Sequence, residues 1–145
     1  MKKIHLILFT LLFLEINAQT SPYDAVERFF DAFHTKDSIV LQEAFASDAR
    51  LQRAEIRNGI SVVRNSSIPN FIKAVSNNPE SAIWDERLGD PIVQQHQNLA
   101  TVWVPYRFYL NNQLSHCGFN SFTLVRLNSV WKILSLIDTS SQECN

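Results

Sequence analysis

The chain has 145 residues, with 13 Lys and Arg set against 14 Asp and Glu. This length suits one domain of ordinary size. A chain so close to neutral gives no electrostatic reason to expect a nucleic-acid partner or an anionic membrane surface.

The first 18 residues have the layout of a secretory signal peptide. A basic start is followed by an apolar run, and Ala18 offers a small residue for cleavage. The run contains Glu15 and is shorter than the roughly 20 apolar residues that cross a bilayer, so a membrane anchor is the weaker alternative. We expect a mature domain of residues 19–145, with net charge −2 after two lysines and one glutamate are lost. This domain would have no membrane span and would be periplasmic or secreted.

Helical periodicity begins soon after the expected cleavage point. Val26, Phe29, Phe30 and Phe33 follow the i, i+3, i+4, i+7 spacing of an amphipathic helix. Pro22 suits the first turn of this helix. The pattern therefore predicts a first helix with an aromatic face turned to the core.

Two further helices are indicated by their starting residues. Asp37 or Ser38 can cap a short second helix, and Ser66 or Ser67 can cap a third. Pro69 then falls in the first turn of the third helix, where its missing N–H costs little.

Strand signals fill the rest of the chain. Asn58-Gly59 is a strong signal for a hairpin turn between Leu51–Arg57 and Ile60–Arg64. After the third helix, five segments rich in β-branched and aromatic residues are separated by short turns: 81–89, 91–96, 99–110, 114–127 and 130–139. Helices followed by a long antiparallel meander predict a single α+β domain.

The last two turns predict a register for the sheet. Two-residue turns at Asn111-Asn112 and Asn128-Ser129 would pair Trp103 with Asn120 and Arg107 with His116. One face, which we expect to meet the helices, then carries Trp103, Arg107, His116, Asn120, Phe122, Leu124, Trp131, Ile133 and Ile137. The other face carries Val104, Tyr106, Phe108, Cys117, Phe119, Val125 and Leu136. Because both faces are apolar, the second needs curvature, a partner subunit, or both.

The segment 99–139 carries the motifs A-T-V-W-x-P-Y-x-F-Y, S-H-C-G, F-x-L-V, W-K-I and D-T. It resembles the C-terminal half of small bacterial proteins of the nuclear transport factor 2-like superfamily, particularly the exported SnoaL-like group named for lumazine binding. The resemblance implies a cystatin-like fold, in which three helices pack on a strongly curved antiparallel sheet that encloses a conical cavity. Homologues often carry an acidic residue two positions after the glycine, where this chain has Asn120.

His116 and Cys117 are adjacent, which raises the question of a reactive pair. Neighbouring residues of a regular strand point to opposite faces, so only a bulge would let His116 activate the thiol. A disulfide between Cys117 and Cys144 is the favoured interpretation for an exported chain, and two free cysteines are the alternative. No metal-ligand spacing occurs among the histidines and cysteines, and no cofactor is expected.

Small-molecule binding is the leading functional hypothesis. We expect Phe30, Trp103, Arg107, His116 and Asn120 to line the pocket and to suit an apolar or planar heteroaromatic ligand.

Enzymes of the superfamily place an acid–base residue inside the cone, which makes His116 the candidate base of an isomerase or lyase. Tyr106, Asp85 and Asp138 are further candidates, but we expect Asp85 and Glu86 on a solvated face and Asp138 at a strand end. The third hypothesis is a non-catalytic module that forms a homodimer through the outer sheet face.

Overall fold

The structure, a computed structural model, describes residues 21–144, so the predicted signal peptide lies outside the described residues. Three helices and seven strands follow one another as α1 (Pro22–Thr35), α2 (Ser38–Ala44), β1 (Phe45–Arg57), β2 (Ile60–Ser66), α3 (Ile68–Ser76), β3 (Trp84–Leu88), β4 (Ile92–His96), β5 (Leu99–Leu110), β6 (Gln113–Leu127) and β7 (Val130–Thr139). Within the described range, no helix is both long and apolar enough to cross a membrane.

Each helix begins at a side chain that satisfies its first N–H groups. Ser21 and Asp24 form a reciprocal capping box on α1, with Ser21 Oγ accepting from the Asp24 N–H at 3.1 Å. Asp37 caps α2 and Ser67 caps α3, which decides both alternatives left by the sequence.

The seven strands form one curled sheet in the order β2-β1-β7-β6-β5-β3, with β4 also pairing with β5. Every pairing is antiparallel except that of β1 with β7, which is parallel. The helices cover the concave face, where the core contains the following fully buried side chains: Trp131, Phe29, Phe122, Leu41, Leu124, Ile133, Val26, Val75, Val102 and Val104. The predicted α+β fold with three helices on a strongly curved sheet is confirmed.

Because of two bulges, the observed register of the sheet differs from the predicted one. The pairing of β5 with β6 shifts by one residue at Ser115, so that Phe108 faces His116 and Val104 faces Asn120. In the pairing of β6 with β7, Leu134 is a similar extra residue, so the register with β6 changes by one residue between the start and the end of β7. An extra residue reverses the face of everything beyond it, which a count from the turns cannot detect.

The prediction that Trp103, Arg107 and Ile137 share the face of Asn120 is therefore wrong. Their neighbours take the concave side instead, and Val104, Tyr106 and Leu136 are buried there. Only the residues between the two bulges, in β6 and at the start of β7, lie on the faces of the sheet that were predicted for them.

The Cys117–Cys144 disulfide is present, with the two Cα atoms 5.8 Å apart. Backbone hydrogen bonds between Cys117 and Ser141, 2.9 and 2.8 Å long, fix the same C-terminal segment to β6. His116 and Cys117 do not form a dyad, because the cysteine side chain is committed to this bond on the outer face.

Candidate functional site

A cavity of about 180 Å³ lies between the helices and the concave face of the sheet. Helices α1 and α3 supply one wall, and strands β1, β2, β3, β6 and β7 supply the other. Its lining residues are Phe29, Phe30, Phe33, Leu51, Gln52, Arg53, Arg64, Ser66, Phe71, Glu86, Asn120, Leu136 and Asp138. Arg64 and Ser66 are exposed and lie at the mouth.

Four phenylalanines form the apolar wall. The helical spacing of Phe29, Phe30 and Phe33 places them on one side of α1, and Phe71 approaches them from α3. The Phe71 ring lies nearly parallel to those of Phe29 and Phe33, with centroids 6.1 and 6.3 Å away. A planar ligand would therefore meet a wall built of rings that already pack against one another.

Glu86 supplies a carboxylate to the opposite wall. Its Oε1 accepts a hydrogen bond of 2.8 Å from the Asn120 side-chain amide, and its backbone N–H donates to His34 Nε2 at 3.0 Å. Burial outweighs the Asn120 hydrogen bond and, with the nearby charge of Asp138, raises the pKa of Glu86 to about 7. The group is therefore able to gain or lose a proton near neutral pH.

Asp138 and Arg53 form an ion pair beside Glu86. The Nε atom of Arg53 donates to both carboxylate oxygens of Asp138, at 3.1 and 2.9 Å, and its Nη2 atom also donates to Oδ2. These residues face each other across the parallel pairing of β1 with β7, so the sheet itself sets their geometry. A forked guanidinium–carboxylate contact of this kind is stronger than a single point contact.

Tyr106 extends the polar network behind the cavity. Its hydroxyl donates to the Thr139 carbonyl oxygen at 2.7 Å and lies 3.5 Å from Asp138 Oδ2. The ring crosses β6 at Gly118, where a β-carbon would come within 3.0 Å of it. Burial, followed by the charges of Asp138 and Glu86, raises the pKa of Tyr106, so the hydroxyl stays protonated.

The structure brings two of the predicted pocket residues to the cavity, Phe30 and Asn120. Trp103 lies on the outer face, 43% exposed and stacked on Phe119 with ring centroids 4.9 Å apart. Arg107 lines a groove on that same outer face.

His116 is absent from the cavity lining. Its ring stacks on Phe108 with centroids 4.8 Å apart, and it meets Tyr106 edge-on. Burial, and then the charge of Arg53, lowers the pKa of His116. The residue is thus a neutral neighbour of the polar network.

Glu86 was expected on a solvated face, and this expectation is wrong. Period-2 alternation in the segment Trp84–Leu88 puts the glutamate on the same face as two partly buried apolar residues. That alternation was the available signal. Arg53 and Asp138 carried no such signal, because only the parallel pairing of β1 with β7 joins residues so distant in sequence.

The arrangement offers an aromatic wall, one carboxylate with a pKa near neutrality, and one neutralised ion pair. Across residues 21–144, no group of three His, Cys, Asp or Glu residues is placed to hold a metal ion. The side chains of the cavity supply hydrogen bonding, ion pairing and proton exchange.

No protein-family model and no curated protein matches this sequence. Solved structures do match. A cystatin-like protein of unknown function from Nostoc punctiforme aligns with a TM-score of 0.64 at 13% identity, over 83% of this chain and 89% of that chain. A nuclear transport factor 2-like protein from Cytophaga hutchinsonii gives 0.63 at 15% identity, over 82% and 94%.

A proposed ketosteroid isomerase from Shewanella frigidimarina gives a TM-score of 0.61 at 11% identity, over 84% of this chain and 97% of that chain. At these identities the likeness concerns the fold. The chain therefore has the nuclear transport factor 2-like, cystatin-like fold.

Proposed function

We propose that this protein binds a small, planar, largely apolar molecule in the cavity between α1, α3 and the sheet. The observation that carries the proposal is the composition of the cavity walls, with four phenylalanine rings on one side and Glu86 and Asn120 on the other. Ligand sites of this kind combine an apolar lining with a few polar groups that fix orientation. The resemblance of residues 99–139 to the exported group named for lumazine binding agrees with a planar ligand.

The cavity volume limits the size of that molecule. About 180 Å³ is close to the roughly 150 Å³ of an engineered apolar cavity that holds benzene. A single ring with a short polar substituent fits this space, and a larger molecule would extend past Arg64 and Ser66 into solvent. Benzyl alcohol is accordingly a suitable neutral probe.

We expect Leu51→Trp to abolish binding of benzyl alcohol. Leu51 lines the cavity from β1, so an indole at this position would occupy the space that the probe needs. Leu99→Trp is the matched control, since Leu99 is 50% exposed and is not among the cavity-lining residues. Amide chemical shifts recorded during titration give the affinities. Equal affinity in both variants would contradict the proposal.

A second candidate function is acid–base catalysis, favoured by one observation: the position of Glu86 in a cavity with an aromatic wall, where its pKa is raised to about 7. Here Glu86 takes the role that the sequence suggested for His116. We expect the protein to accelerate hydrogen–deuterium exchange of phenylacetone at its α-carbon in D₂O, followed by NMR. Glu86→Gln would lose about 100-fold or more of this rate while still binding benzyl alcohol. An unchanged exchange rate would eliminate the candidate.

We propose that the protein is located outside the cytoplasm, as a periplasmic or secreted protein. The Cys117–Cys144 disulfide supports this location, because such bonds persist in oxidising compartments.

We also propose a homodimer through the outer sheet face, where Trp103 and Phe119 are 43% and 40% exposed. Burial of this exposed aromatic pair against a second copy would remove its apolar surface from water.

A further inference from the structure

We propose that the natural ligand carries a protonated nitrogen that pairs with the Glu86 carboxylate inside the cavity. This inference rests on the proposed function and specifies its ligand class, a small amine built on an aromatic ring. The charges lining the cavity, the hydrogen bonds that already engage them, and the aromatic wall together support it.

The cavity contains two carboxylates, and the structure neutralises one of them. Arg53 donates to both oxygens of Asp138 through its Nε. Glu86 instead receives a neutral hydrogen bond from the Asn120 amide, and the ion pairs of residues 21–144 do not include it. An ionised Glu86 therefore leaves the interior of the cavity with a net charge of −1, because Arg53 and Asp138 cancel and the other charged lining residue, Arg64, lies at the mouth.

The remaining cation at the cavity does not offset this charge. Arg64 lies exposed at the mouth, where its Nε is 3.8 Å from Glu55 Oε1. It is thus screened by solvent and shared with another carboxylate. A ligand with a positive charge would therefore provide Glu86 with the ion-pair partner that residues 21–144 do not provide.

The opposite wall also favours a cation. Aromatic rings carry negative charge on their faces and attract cations that lie within about 6 Å of the centroid. Phe29, Phe30, Phe33 and Phe71 all line the cavity opposite the carboxylate. An ammonium group next to Glu86, attached to a ring that packs on these phenylalanines, would satisfy both walls.

Proton linkage gives this inference a distinctive signature. Only the ionised form of Glu86 pairs with an amine, and at pH 7 about half of the molecules carry that form. Benzylamine should therefore bind about tenfold more tightly at pH 8 than at pH 6, since the ionised fraction rises about tenfold. Benzyl alcohol, which has a similar shape and no charge, should show no such change.

The neighbouring elements place charged or titratable groups around this network: His34 on α1, Arg53 on β1, Tyr106 on β5, His116 on β6 and Asp138 on β7. The pKa of His116 is lowered and that of Tyr106 is raised, so both stay neutral between pH 7 and pH 8. His34 contacts the Glu86 backbone and needs its own control. His34→Gln keeps an acceptor at this position and should retain the pH dependence.

Isothermal titration calorimetry of the folded protein with benzylamine and benzyl alcohol, at pH 6, 7 and 8, tests the inference. We expect benzylamine to bind more tightly at pH 8 and to release protons to the buffer at pH 7. Glu86→Gln should weaken benzylamine binding at pH 8 by about tenfold or more and remove its pH dependence. Glu27→Gln, an exposed substitution on α1, should leave both unchanged.

Each alternative outcome has a separate meaning. If benzyl alcohol binds as tightly as benzylamine with the same pH profile, the amine inference is overturned while the proposed function stands. If Glu86→Gln keeps the pH dependence, Glu86 is not the partner and the inference is again overturned. If neither probe binds to the wild-type protein, both the inference and the proposed function are overturned.

Discussion

Gly118→Ala should destabilise the protein by about 3 kcal/mol, because a β-carbon at this position overlaps the neighbouring strand. That atom would lie 2.0 Å from the Thr139 carbonyl oxygen and 3.0 Å from Tyr106 Cε1. The carbonyl belongs to the main chain, so relief requires β6 and β7 to separate locally. The same movement would break the 2.7 Å hydrogen bond from Tyr106 to Thr139.

Urea unfolding followed by circular dichroism measures this loss. Ser115→Ala is the control on the same strand, at an exposed bulge position, and should change the free energy of unfolding by no more than about 0.5 kcal/mol. A Gly118→Ala protein as stable as the wild type would show that the strands are not packed as closely as described.

The second large effect is a dependence of stability on pH that originates at Glu86. The pKa of this carboxyl is about 7 in the folded protein, compared with 4.5 for an ordinary glutamate. The folded state therefore holds this proton more tightly than the unfolded state. The resulting stabilisation is fully present below pH 4.5, falls as the pH rises from 4.5 to 7, and is absent at higher pH.

The size of the effect follows from the shift. A shift of this magnitude corresponds to about 3 kcal/mol between its limits. Glu86→Gln keeps the shape of the side chain and removes the titration, so the stability difference between variant and wild type should change by about this amount from pH 4.5 to pH 8.

Chemical denaturation at several pH values gives this difference. Glu27→Gln, on the exposed side of α1, provides a reference for changes in net charge alone. If the Glu86→Gln and Glu27→Gln proteins show the same pH dependence, Glu86 is not desolvated as the cavity geometry indicates.

Much of the fold could be predicted because its signals are local. The helices follow from the spacing of Phe29, Phe30 and Phe33 and from the caps at Asp37 and Ser67. The hairpins follow from turn residues that adopt positive φ, such as Asn58 with φ of 50°. These features depend on near neighbours in the chain, so a single sequence contains them.

The candidate site was predictable only in part. Phe30 and Asn120 were placed correctly because α1 and the middle of β6 are regular. Trp103 and Arg107 were misplaced because the bulge at Ser115 shifts β5 by one residue relative to β6. A bulge depends on how a strand bends over its core, and no residue type at this position signals it.

The polar network depends on contacts between distant parts of the chain. Arg53 meets Asp138 across 85 positions of sequence, through a parallel pairing that the predicted antiparallel meander did not contain. Such a contact can be found only when the strand order is known. The polar centre of the site therefore had to be found in the structure. Of the aromatic wall, the sequence predicted the α1 face with Phe29, Phe30 and Phe33 but did not single out Phe71.

The central claim, that the cavity is a ligand site, is tested most directly by native mass spectrometry of the protein purified from its own compartment. We predict a small additional mass on the wild-type protein and on Leu99→Trp, absent from Leu51→Trp, and a total mass corresponding to two chains. Wild-type and Leu51→Trp proteins that both show only the mass of their own chains, with no bound molecule on either, would contradict the claim.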